Sequence, residues 1–327
     1  MRTINSLLLK VGGALLALAT LAPAIPAGAQ DYPSKPVRIV VPFPPGAIND
    51  SVGRMVATHL SGRLGKQFVV ENRPGAGGVI ATELVVNAPK DGHTLLIVSL
   101  AATVNPWLYK LPYDQSKAFA PIAVVATAPN VIAVNPDVPA KSVKDLIALA
   151  KKQPGKLQYA SSGVGTFLHL GPELFKTMAG VDILHVPFKG AAPAMIDVMG
   201  GRTHMVAASI PSTLTHLRSG KLRALGVGAT QRSALLPDVP TVSESGLPGY
   251  TVANWIGVVA PAGTPAAIVE KLHKEISAMQ DLPEVQKQLR NQGAEIMRMS
   301  SAEFAKFIAS ETAKWGRVVK DAGIKAQ

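Results

Sequence analysis

Two serines and a histidine that lie close together in the sequence have the clearest potential for catalysis. Ser161 and Ser162 stand in a loop after an apolar run, and His169 follows shortly afterwards. A serine activated by a histidine base is the chemistry of esterases and amidases. The stretch around the serines, YASSG, lacks the Gly-x-Ser-x-Gly spacing of a nucleophile elbow. His169 lies in a predicted helix among apolar residues, so we interpret it as a packed or capping histidine, and a secreted hydrolase is the weaker alternative.

Other catalytic and cofactor chemistries have no motif in this chain. The absence of cysteine excludes thiol catalysis, cysteine-bound zinc and iron–sulfur clusters. The seven histidines show no HExxH spacing. Gly163 and Gly165 are followed by Leu168 instead of a third glycine, so the dinucleotide fingerprint fails, and no P-loop lysine motif is present. We therefore expect no cofactor, no metal and no catalytic residue.

Two strand-loop-helix junctions are instead suited to binding an anion. Residues 37–50, VRIVVPFPPGAIND, pass from a β-branched run through a Pro/Gly loop into a helical pattern, with Gly46 and Ala47 at the junction. A second junction at residues 157–170, LQYASSGVGTFLHL, has Thr166 as a candidate helix cap. The first backbone N–H groups of a helix lack internal partners and carry the positive end of its dipole. Two such junctions facing each other would form a cleft for a carboxylate or phosphate.

Hydroxyl and amide groups follow several predicted strands and add to these backbone donors. They are Ser99, Thr103, Asn105, Ser161, Ser162 and Thr166. Any single one of them is explained by turn geometry, because ordinary loops are rich in such residues. Their convergence on one place is what would indicate a binding site. Phe43, in the rigid first loop, is a candidate to cover an apolar part of the ligand.

The N-terminus has the pattern of a secretory signal. Arg2 and Lys10 flank the start of an apolar stretch over 11–21, and the sequence AGA at 27–29 is a small-residue cleavage site. The apolar stretch is shorter than the roughly 20 residues that span a bilayer. We predict that residues 1–29 are a cleaved signal peptide and that the mature protein is exported and soluble.

The charge balance favours an anionic partner. The formal net charge is +12, and the predicted signal carries two positive and no negative residues, so the mature chain is near +10. The lysines and arginines are scattered and aromatic residues make up only 5% of the chain. Without a basic-aromatic stripe, we expect no binding to nucleic acid.

Apolar runs alternate with helical periods along the chain, which is typical of an α/β protein with largely parallel sheets. Its 327 residues allow about two domains at roughly 150 residues each. No Gly/Ser linker divides the chain, so we expect an inserted domain, with crossings near 130–134 and 250–259. These give domain 1 over 30–131 plus 252–327 and domain 2 over 132–251.

Local signals mark several element boundaries. Gly65 ends the first predicted helix, Ser142 begins another, and Ser300 with Glu303 forms a capping box. Thr264 before Pro265 is a predicted cap. The runs Ile122–Ala126 and Asn130–Val134 are predicted as separate strands.

A set of longer motifs runs through the chain in order from about Tyr32 to the C-terminus. They are PFPPGAIND, ENRPGAGG, SSGVGTFLHL, HVPFKGAAPAMIDVMGG, DVPTVSESGLPGY and WIGVVAPAGTP. Together they resemble the Bug family, the extracytoplasmic solute-binding receptors of tripartite tricarboxylate transporters. The family pattern has a second glycine where this chain has Ala47, and a hydroxyl residue where it has Asn49.

The resemblance implies a periplasmic-binding-protein-like Venus flytrap in which two doubly wound domains close on a small carboxylate by hinge motion. It also implies a periplasmic monomer that delivers its ligand to a membrane permease. The ligand-binding residues it implies are Phe43, Gly46, Ala47, Asp50, Ser99, Thr103, Asn105, Ser161, Gly163, Gly165, Thr166, His169 and Phe188. A periplasmic sensor that serves a signalling partner, and an exported scaffold with an empty cleft, are the further alternatives.

Overall fold

The structure, a computed structural model, describes residues 32–325. The predicted signal peptide therefore lies outside the described residues. The strands are β1 Val37–Val41, β2 Phe68–Asn72, β3 Thr94–Ser99, β4 Phe119–Val134, β5 Gln158–Ser161, β6 Leu184–Pro187, β7 Met205–Ser209, β8 Arg223–Val227, β9 Ala253–Pro261 and β10 Glu295–Ile296.

The α-helices alternate with these strands. They are α1 Ile48–Leu64, α2 Val79–Val86, α3 Leu100–Leu108, α4 Val143–Lys152, α5 Phe167–Ala179, α6 Ala191–Met199, α7 Ile210–Arg218, α8 Ala266–Gln280, α9 Pro283–Asn291 and α10 Ser301–Asp321. Two short 3₁₀ turns lie at Ala76–Gly78 and Gln115–Lys117. Among residues 32–325, no helix combines the length and the apolar character needed to cross a bilayer.

One long strand, β4, connects two lobes. Its first part pairs with β9 in a sheet of order β2-β1-β3-β9-β4, with β10 also against β4. Its last part, from Asn130, pairs with β7 and β8 in a second sheet that continues to β5 and β6. We call residues 32–129 with 253–325 lobe 1, and residues 130–252 lobe 2. Two α/β lobes joined by two crossing segments confirm the predicted fold class. The prediction of largely parallel sheets is wrong: both sheets are mixed, because β4 and β9 run antiparallel to the strands they pair with.

Backbone hydrogen bonds at Asn130 stabilise the point where β4 passes from lobe 1 to lobe 2. Its N–H donates to Val252 O at 3.2 Å, and its carbonyl accepts from the Gly228 N–H at 2.8 Å. Ile122–Ala126 and Asn130–Val134, predicted as two strands, are parts of the single strand β4. The strand partners change between Pro129 and Asn130, two residues before the predicted limit at 131/132. The domain limits themselves stay a prediction.

Most of the predicted helix ends are confirmed. Gly65 closes α1 in the left-handed conformation, the Ser142 hydroxyl accepts from the Asp145 N–H at 3.1 Å, and Ser300 with Glu303 forms the capping box. The Thr264 cap is wrong. The N-cap position of α8 is Pro265, so Thr264 lies one residue too early, and its hydroxyl donates to Pro261 O at 2.8 Å within the preceding turn.

Parallel pairing explains the apolar strands that lead to the loops of interest. β1 lies between β2 and β3, and Ile39, Val40 and Val41 are fully buried because helices cover both faces of the sheet. In lobe 2, β5 lies between β6 and β7 and is equally buried at Tyr159 and Ala160. The loop after β1 and the loop after β5 are therefore held by rigid strands at their carboxyl ends, where open α/β sheets bind ligands.

Candidate functional site

A cavity of about 470 Å³ lies between the two lobes. Lobe 1 contributes the loop after β1 and the start of α3, and lobe 2 contributes the loop after β5. Of the residues predicted from sequence, those that line this cleft are Phe43, Ser99, Asn105, Gly163, Gly165 and Thr166. The structure thus brings the two predicted junctions together. The volume lies in the range of about 300–1,000 Å³ that is usual for small-molecule sites.

Four helix N-termini meet at the cleft. Asn49 in the first turn of α1 and Leu100 in that of α3 come from lobe 1, whereas Phe167 of α5 and Gly190 before α6 come from lobe 2. None of the four helices is capped by the side chain at its N-cap position. Of the other helices, α4 and α10 are capped by their own serines, whereas α2, α7, α8 and α9 also lack a side-chain cap, so it is the meeting of four such termini that distinguishes the cleft. Uncapped first-turn N–H groups and converging dipoles make the cleft attractive to an anion.

The side chains that line the cleft carry no formal charge. Their polar groups are hydroxyls and amides, and Asn49 stands out among them. Asn49 is only 3% exposed, and its side-chain N–H₂ has no hydrogen-bond partner within residues 32–325. A buried donor without a partner is costly, so a donor of this kind lining a cleft indicates a ligand acceptor.

The loop of lobe 1 is held by a buried carboxylate. Asp50 accepts from the Gly46 N–H at 3.0 Å, from Asn72 Nδ2 at 2.8 Å and from Arg54 Nε at 3.0 Å. Asn72 also donates to Phe43 O at 2.9 Å. Burial acts to raise the pKa of Asp50, but the hydrogen bonds from Arg54, Gly46 and Asn72 together lower it below its ordinary value. Asp50 is thus a positioning residue that fixes the entry to α1.

The loop of lobe 2 is held by neutral groups. The Gly163 N–H donates to Ser161 Oγ at 3.1 Å, and Ser161 Oγ lies 2.6 Å from His185 Nε2. The Gly165 N–H donates to His169 Nδ1 at 3.0 Å, which places the ring proton of His169 on Nε2. His169 therefore holds the backbone one residue before the N-cap position of its own helix, in agreement with its interpretation as a packed histidine.

The two histidines belong to a stack of rings beneath this loop. His169 and His185 stack at 4.1 Å between ring centroids, and Tyr159 stacks on His185 at 4.8 Å. Burial, followed by the charges of His185 and Lys176, lowers the pKa of His169 to about 3. Burial and then the charge of Lys176 lower the pKa of His185 to about 4. Both imidazoles are neutral at pH 7.

The two lobes touch across the cleft at Gly165 and Leu108. Gly165 has φ +74°, and a Cβ placed on it would lie 2.5 Å from Leu108 Cδ1. Leu108 is at the end of α3, whose first turn lines the cleft. A glycine is therefore needed at this position both for its backbone conformation and for the approach of the opposite lobe.

Several predicted residues are not among those that line the cleft. The Gly46 N–H donates to Asp50, and Ala47 is the N-cap residue of α1. Thr103 is fully buried, and its hydroxyl donates to Leu100 O at 2.6 Å. Phe188 packs on the apolar core of lobe 2. Ser161, Asp50 and His169 have the internal partners described above. Their direct contact with a ligand remains untested.

Two local interpretations are corrected. The Thr166 hydroxyl donates to Gly163 O at 2.7 Å and accepts from Ser162 Oγ at 3.0 Å, so it does not cap α5. The serine–histidine pair of the hydrolase alternative is not formed, because His169 Nδ1 accepts from the backbone of Gly165. Ser161 is paired with His185 instead, and it is fully buried.

Ser162, one of the hydroxyl donors named from the sequence, also lines the cleft. Sequence reasoning missed three contributors. Asn49 and Asn254 line the cleft, and His185 supports Ser161 from the neighbouring strand. Asn49 was detectable, because an asparagine in the first turn of a predicted anion-binding helix is itself a donor. Asn254 and His185 depend on strand register, which pairs Asn254 with Ala128 and His185 with Tyr159. No local signal in the sequence fixes that register.

Two α/β lobes with a ligand-sized cleft between uncapped helix termini define the class of two-domain solute-binding proteins. Residues 52–324 match the model of the tripartite tricarboxylate transporter family receptor. This chain therefore belongs to that receptor family, as the resemblance to Bug proteins implied.

Individual relatives agree with this family over nearly the whole chain. Protein BugT of Bordetella pertussis is 36% identical over 311 residues, which are 94% of this chain and 95% of BugT. A structure of an R. palustris protein with adipate superposes with a TM-score of 0.79 at 38% identity, over 91% of this chain and all of that one. MatC from Rhodopseudomonas palustris, with bound malate, gives a TM-score of 0.76 at 32% identity, over 88% and 100%. The family and fold are those of solute-binding receptors.

Proposed function

We propose that this protein is a periplasmic receptor that captures a small carboxylate between its two lobes. The observation that carries the proposal is the meeting of four uncapped helix N-termini in one cleft whose lining side chains are uncharged. The only strong attraction such a cleft offers is toward a negative group. The unpaired Nδ2 of Asn49 supplies a further donor.

The donors present are sufficient for useful affinity. Each hydrogen bond to a charged group contributes about 1.5–3 kcal/mol, and each helix terminus about 0.3–1 kcal/mol. Three such bonds and two termini bracket the about 8 kcal/mol of a micromolar complex. A lysine or arginine clamp is therefore unnecessary. The adipate and malate in the two similar structures support a carboxylate as the ligand class.

Binding is proposed to close the hinge. A ligand that contacts both lobes binds the closed form better than the open form, and this difference in affinity shifts the population toward closure. The crossing segments at Asn130 and Val252 are the proposed hinge, because there β4 and the segment before β9 pass from one lobe to the other. We further propose that the closed protein acts as a monomer and delivers its ligand to a membrane permease of the tripartite type, which the family assignment supports.

Thermal unfolding with matched ligands tests the carboxylate claim. Adipate, malate and a panel of other mono-, di- and tricarboxylates are compared with their uncharged amides, such as adipamide. A ligand bound only by the native state adds about 2.7 kcal/mol of stability at 100 times its Kd. We expect at least one carboxylate, and not its amide, to raise the Tm. Equal shifts from acid and amide, or none from the whole panel, would refute the proposal.

A pair of asparagine variants locates the site. Asn49→Leu removes the unpaired donor that lines the cleft and is expected to abolish most of the Tm shift without loss of the fold. Asn291→Leu, at the exposed end of α9, is the control and should keep the full shift.

Solution scattering of the wild type with the active carboxylate should show a smaller radius of gyration than without it.

Transport is tested in cells. Deletion of the gene is expected to abolish uptake of the carboxylate that raises the Tm, and re-expression of the wild type should restore it. Re-expression of the Asn49→Leu variant should not. Unchanged uptake after deletion would argue for the sensor alternative.

A further inference from the structure

Gln115 has a buried side-chain amide that no protein group satisfies. It is the first residue of the turn Gln115–Lys117 and is 8% exposed. Neither Nε2 nor Oε1 has a hydrogen-bond partner within residues 32–325. An amide that is buried without partners on both atoms is rare in folded proteins, because each unpaired group retains its desolvation cost.

Gln280, a second buried glutamine of the same lobe, has a side-chain amide that is hydrogen-bonded within the protein. Gln280, at the end of α8, is 2% exposed, and its Nε2 donates to Val124 O, Val125 O and Met297 O at 3.1, 2.8 and 2.8 Å. Those bonds tie α8 to β4 and to the chain beyond β10. Gln115 makes no comparable contact. The difference indicates that the partner of Gln115 comes from outside the chain.

The surroundings of Gln115 form a mostly apolar cavity of about 310 Å³ that shares no lining residue with the ligand cleft. Its walls include Trp107, Phe119, Ile308 and Ala309. The Trp107 ring is 51% exposed, yet it is fixed in place, because its Nε1 donates to Thr312 O at 2.9 Å. Gly316 allows the ring to lie against α10, since a Cβ there would collide with the indole. An exposed, immobilised tryptophan beside a cavity is typical of a protein-binding hot spot.

A second cavity of about 750 Å³ continues on the other side of Trp107 and shares Trp107 and Ala313 with the first. Arg317, Lys320 and Lys325 line it and are exposed. We call the two cavities together the outer groove. One end of the outer groove offers an amide in an apolar pocket, and the other end offers three positive charges.

We propose that the outer groove binds an extended peptide segment of a partner protein, with an apolar residue at Gln115 and acidic residues toward Arg317 and Lys320. An extended residue presents its own N–H and C=O on the same edge, so one residue can pair with both atoms of the Gln115 amide. The apolar pocket and the cationic cavity share Trp107 and Ala313, so one peptide with an apolar part and an acidic part can contact both. Carboxylates on the peptide would complement the cationic end.

Matched glutamine variants test whether Gln115 is truly unpaired in the free protein. Gln115→Met keeps the size of the side chain and removes the amide, so the Tm should stay equal or rise. Gln280→Met should lower the Tm by several degrees, because it deprives three carbonyls of their donor. If Gln115→Met lowers the Tm as much as Gln280→Met, the Gln115 amide is satisfied within the protein and the proposal fails.

Peptide titration tests the occupant. The probe is acetyl-Leu-Leu-Glu-Glu-amide, added to ¹⁵N-labelled protein and followed through the side-chain amide of Gln115 and the indole N–H of Trp107. We expect saturable shifts with a Kd of about 1 mM or tighter. Gln115→Met, and methylation of both leucine nitrogens of the probe, should each weaken binding about tenfold, equivalent to about 1.4 kcal/mol. Lys320→Glu should weaken it less.

The opposite results are equally clear. Absence of shifts at these two groups, or binding that survives both Gln115→Met and N-methylation, would overturn the proposal. Gln115 and Trp107 do not line the ligand cleft, so shifts read at these two groups do not depend on the Tm shifts with carboxylates.

Discussion

The two loops that face each other across the cleft are both held in place by internal hydrogen bonds, but the acceptor is charged in lobe 1 and neutral in lobe 2. In lobe 1, the ionised carboxylate of Asp50 accepts hydrogen bonds from the Gly46 N–H, Asn72 and Arg54. In lobe 2, the uncharged groups Ser161 and His169 accept from the Gly163 and Gly165 N–H groups. In both loops the glycine N–H groups are used inside the protein, so the first turns of the helices are left for the ligand.

This difference separates the two lobes by their response to acid. The pKa of Asp50 is held below its ordinary value, so its network persists until the pH falls below about 3.8. The imidazoles of lobe 2 must stay neutral in the fold, although a histidine in the unfolded chain gains a proton near pH 6.5. Acid is therefore expected to weaken lobe 2 first.

The largest effect is expected from removing the charged network of lobe 1. Asp50→Ala leaves the Gly46 N–H, Asn72 Nδ2 and Arg54 without their acceptor. Since hydrogen bonds to a charged group are worth about 1.5–3 kcal/mol each, we expect a loss of about 3 kcal/mol or more in unfolding free energy. Carboxylate affinity should fall about 100-fold as the entry to α1 loosens.

Asp145→Ala is the matched control for this change. Asp145 lies at the start of α4, where its N–H donates to Ser142 and its carboxylate accepts from the Lys141 N–H. The variant should leave carboxylate affinity, measured by calorimetry, unchanged. Equal losses of affinity in both variants would remove the special role assigned to Asp50.

Acid should destabilise the protein through the buried histidines. A folded-state pKa below the unfolded value means that the unfolded chain binds more protons, so stability falls as the pH drops from about 6.5 toward 4. For His169, which is 4% exposed, the slope is at most about 1.4 kcal/mol per pH unit. Urea unfolding at pH 7 and pH 5 measures the difference.

The histidine variants assign this acid sensitivity. His169→Asn and His185→Asn each remove one group that must stay neutral, so each should reduce the loss of stability between pH 7 and pH 5. If both variants lose as much stability between pH 7 and pH 5 as the wild type, groups other than these histidines take up the protons. The claim that acid weakens lobe 2 first would then be wrong.

Ser161→Ala is expected to act more weakly than Asp50→Ala because the group it removes is uncharged. The change leaves the Gly163 N–H and His185 Nε2 unpaired below the cleft, at a cost of about 1–3 kcal/mol. Carboxylate affinity should fall about tenfold. Ser310→Ala, which removes an exposed hydroxyl that donates to Phe307 O, should change neither stability nor affinity. An affinity loss at Ser161 as large as that at Asp50 would erase the distinction between the loops.

The smallest effect is expected at the contact between the lobes. Gly165→Ala places a methyl against Leu108 and a side chain in a left-handed conformation, which costs about 1–2 kcal/mol. Carboxylate affinity should fall several-fold. Adding Leu108→Ala should recover part of it, because it removes the collision and not the backbone strain. No recovery in the double variant would show that the lobes do not meet at this point.

The sequence was informative wherever the determinant was local. The strand-loop-helix junctions at 37–50 and 157–170 follow from composition and spacing, and so do the caps at Ser142 and Ser300. The direction of hydrogen bonds was not local. Gly46 and Gly163 look like ligand donors in the sequence, but Asp50 and Ser161 take their N–H groups once the chain turns.

Contacts that depend on strand register could not be predicted from the sequence. His185 reaches Ser161 only because β6 lies parallel to β5 with His185 beside Tyr159. Thr264 failed as a cap for a different reason, since the helix begins one residue later than predicted, with Pro265 at the N-cap position. Both cases show that the type of a residue limits its possible partners, while the tertiary fold selects among them.

A crystal structure with the carboxylate that gives the largest Tm shift tests the central claim most directly. We predict that its carboxylate oxygens lie within about 3.2 Å of first-turn backbone nitrogens from both lobes and that one accepts from Asn49 Nδ2. A carboxylate held by surface lysines or arginines, or one that contacts a single lobe only, would contradict the account.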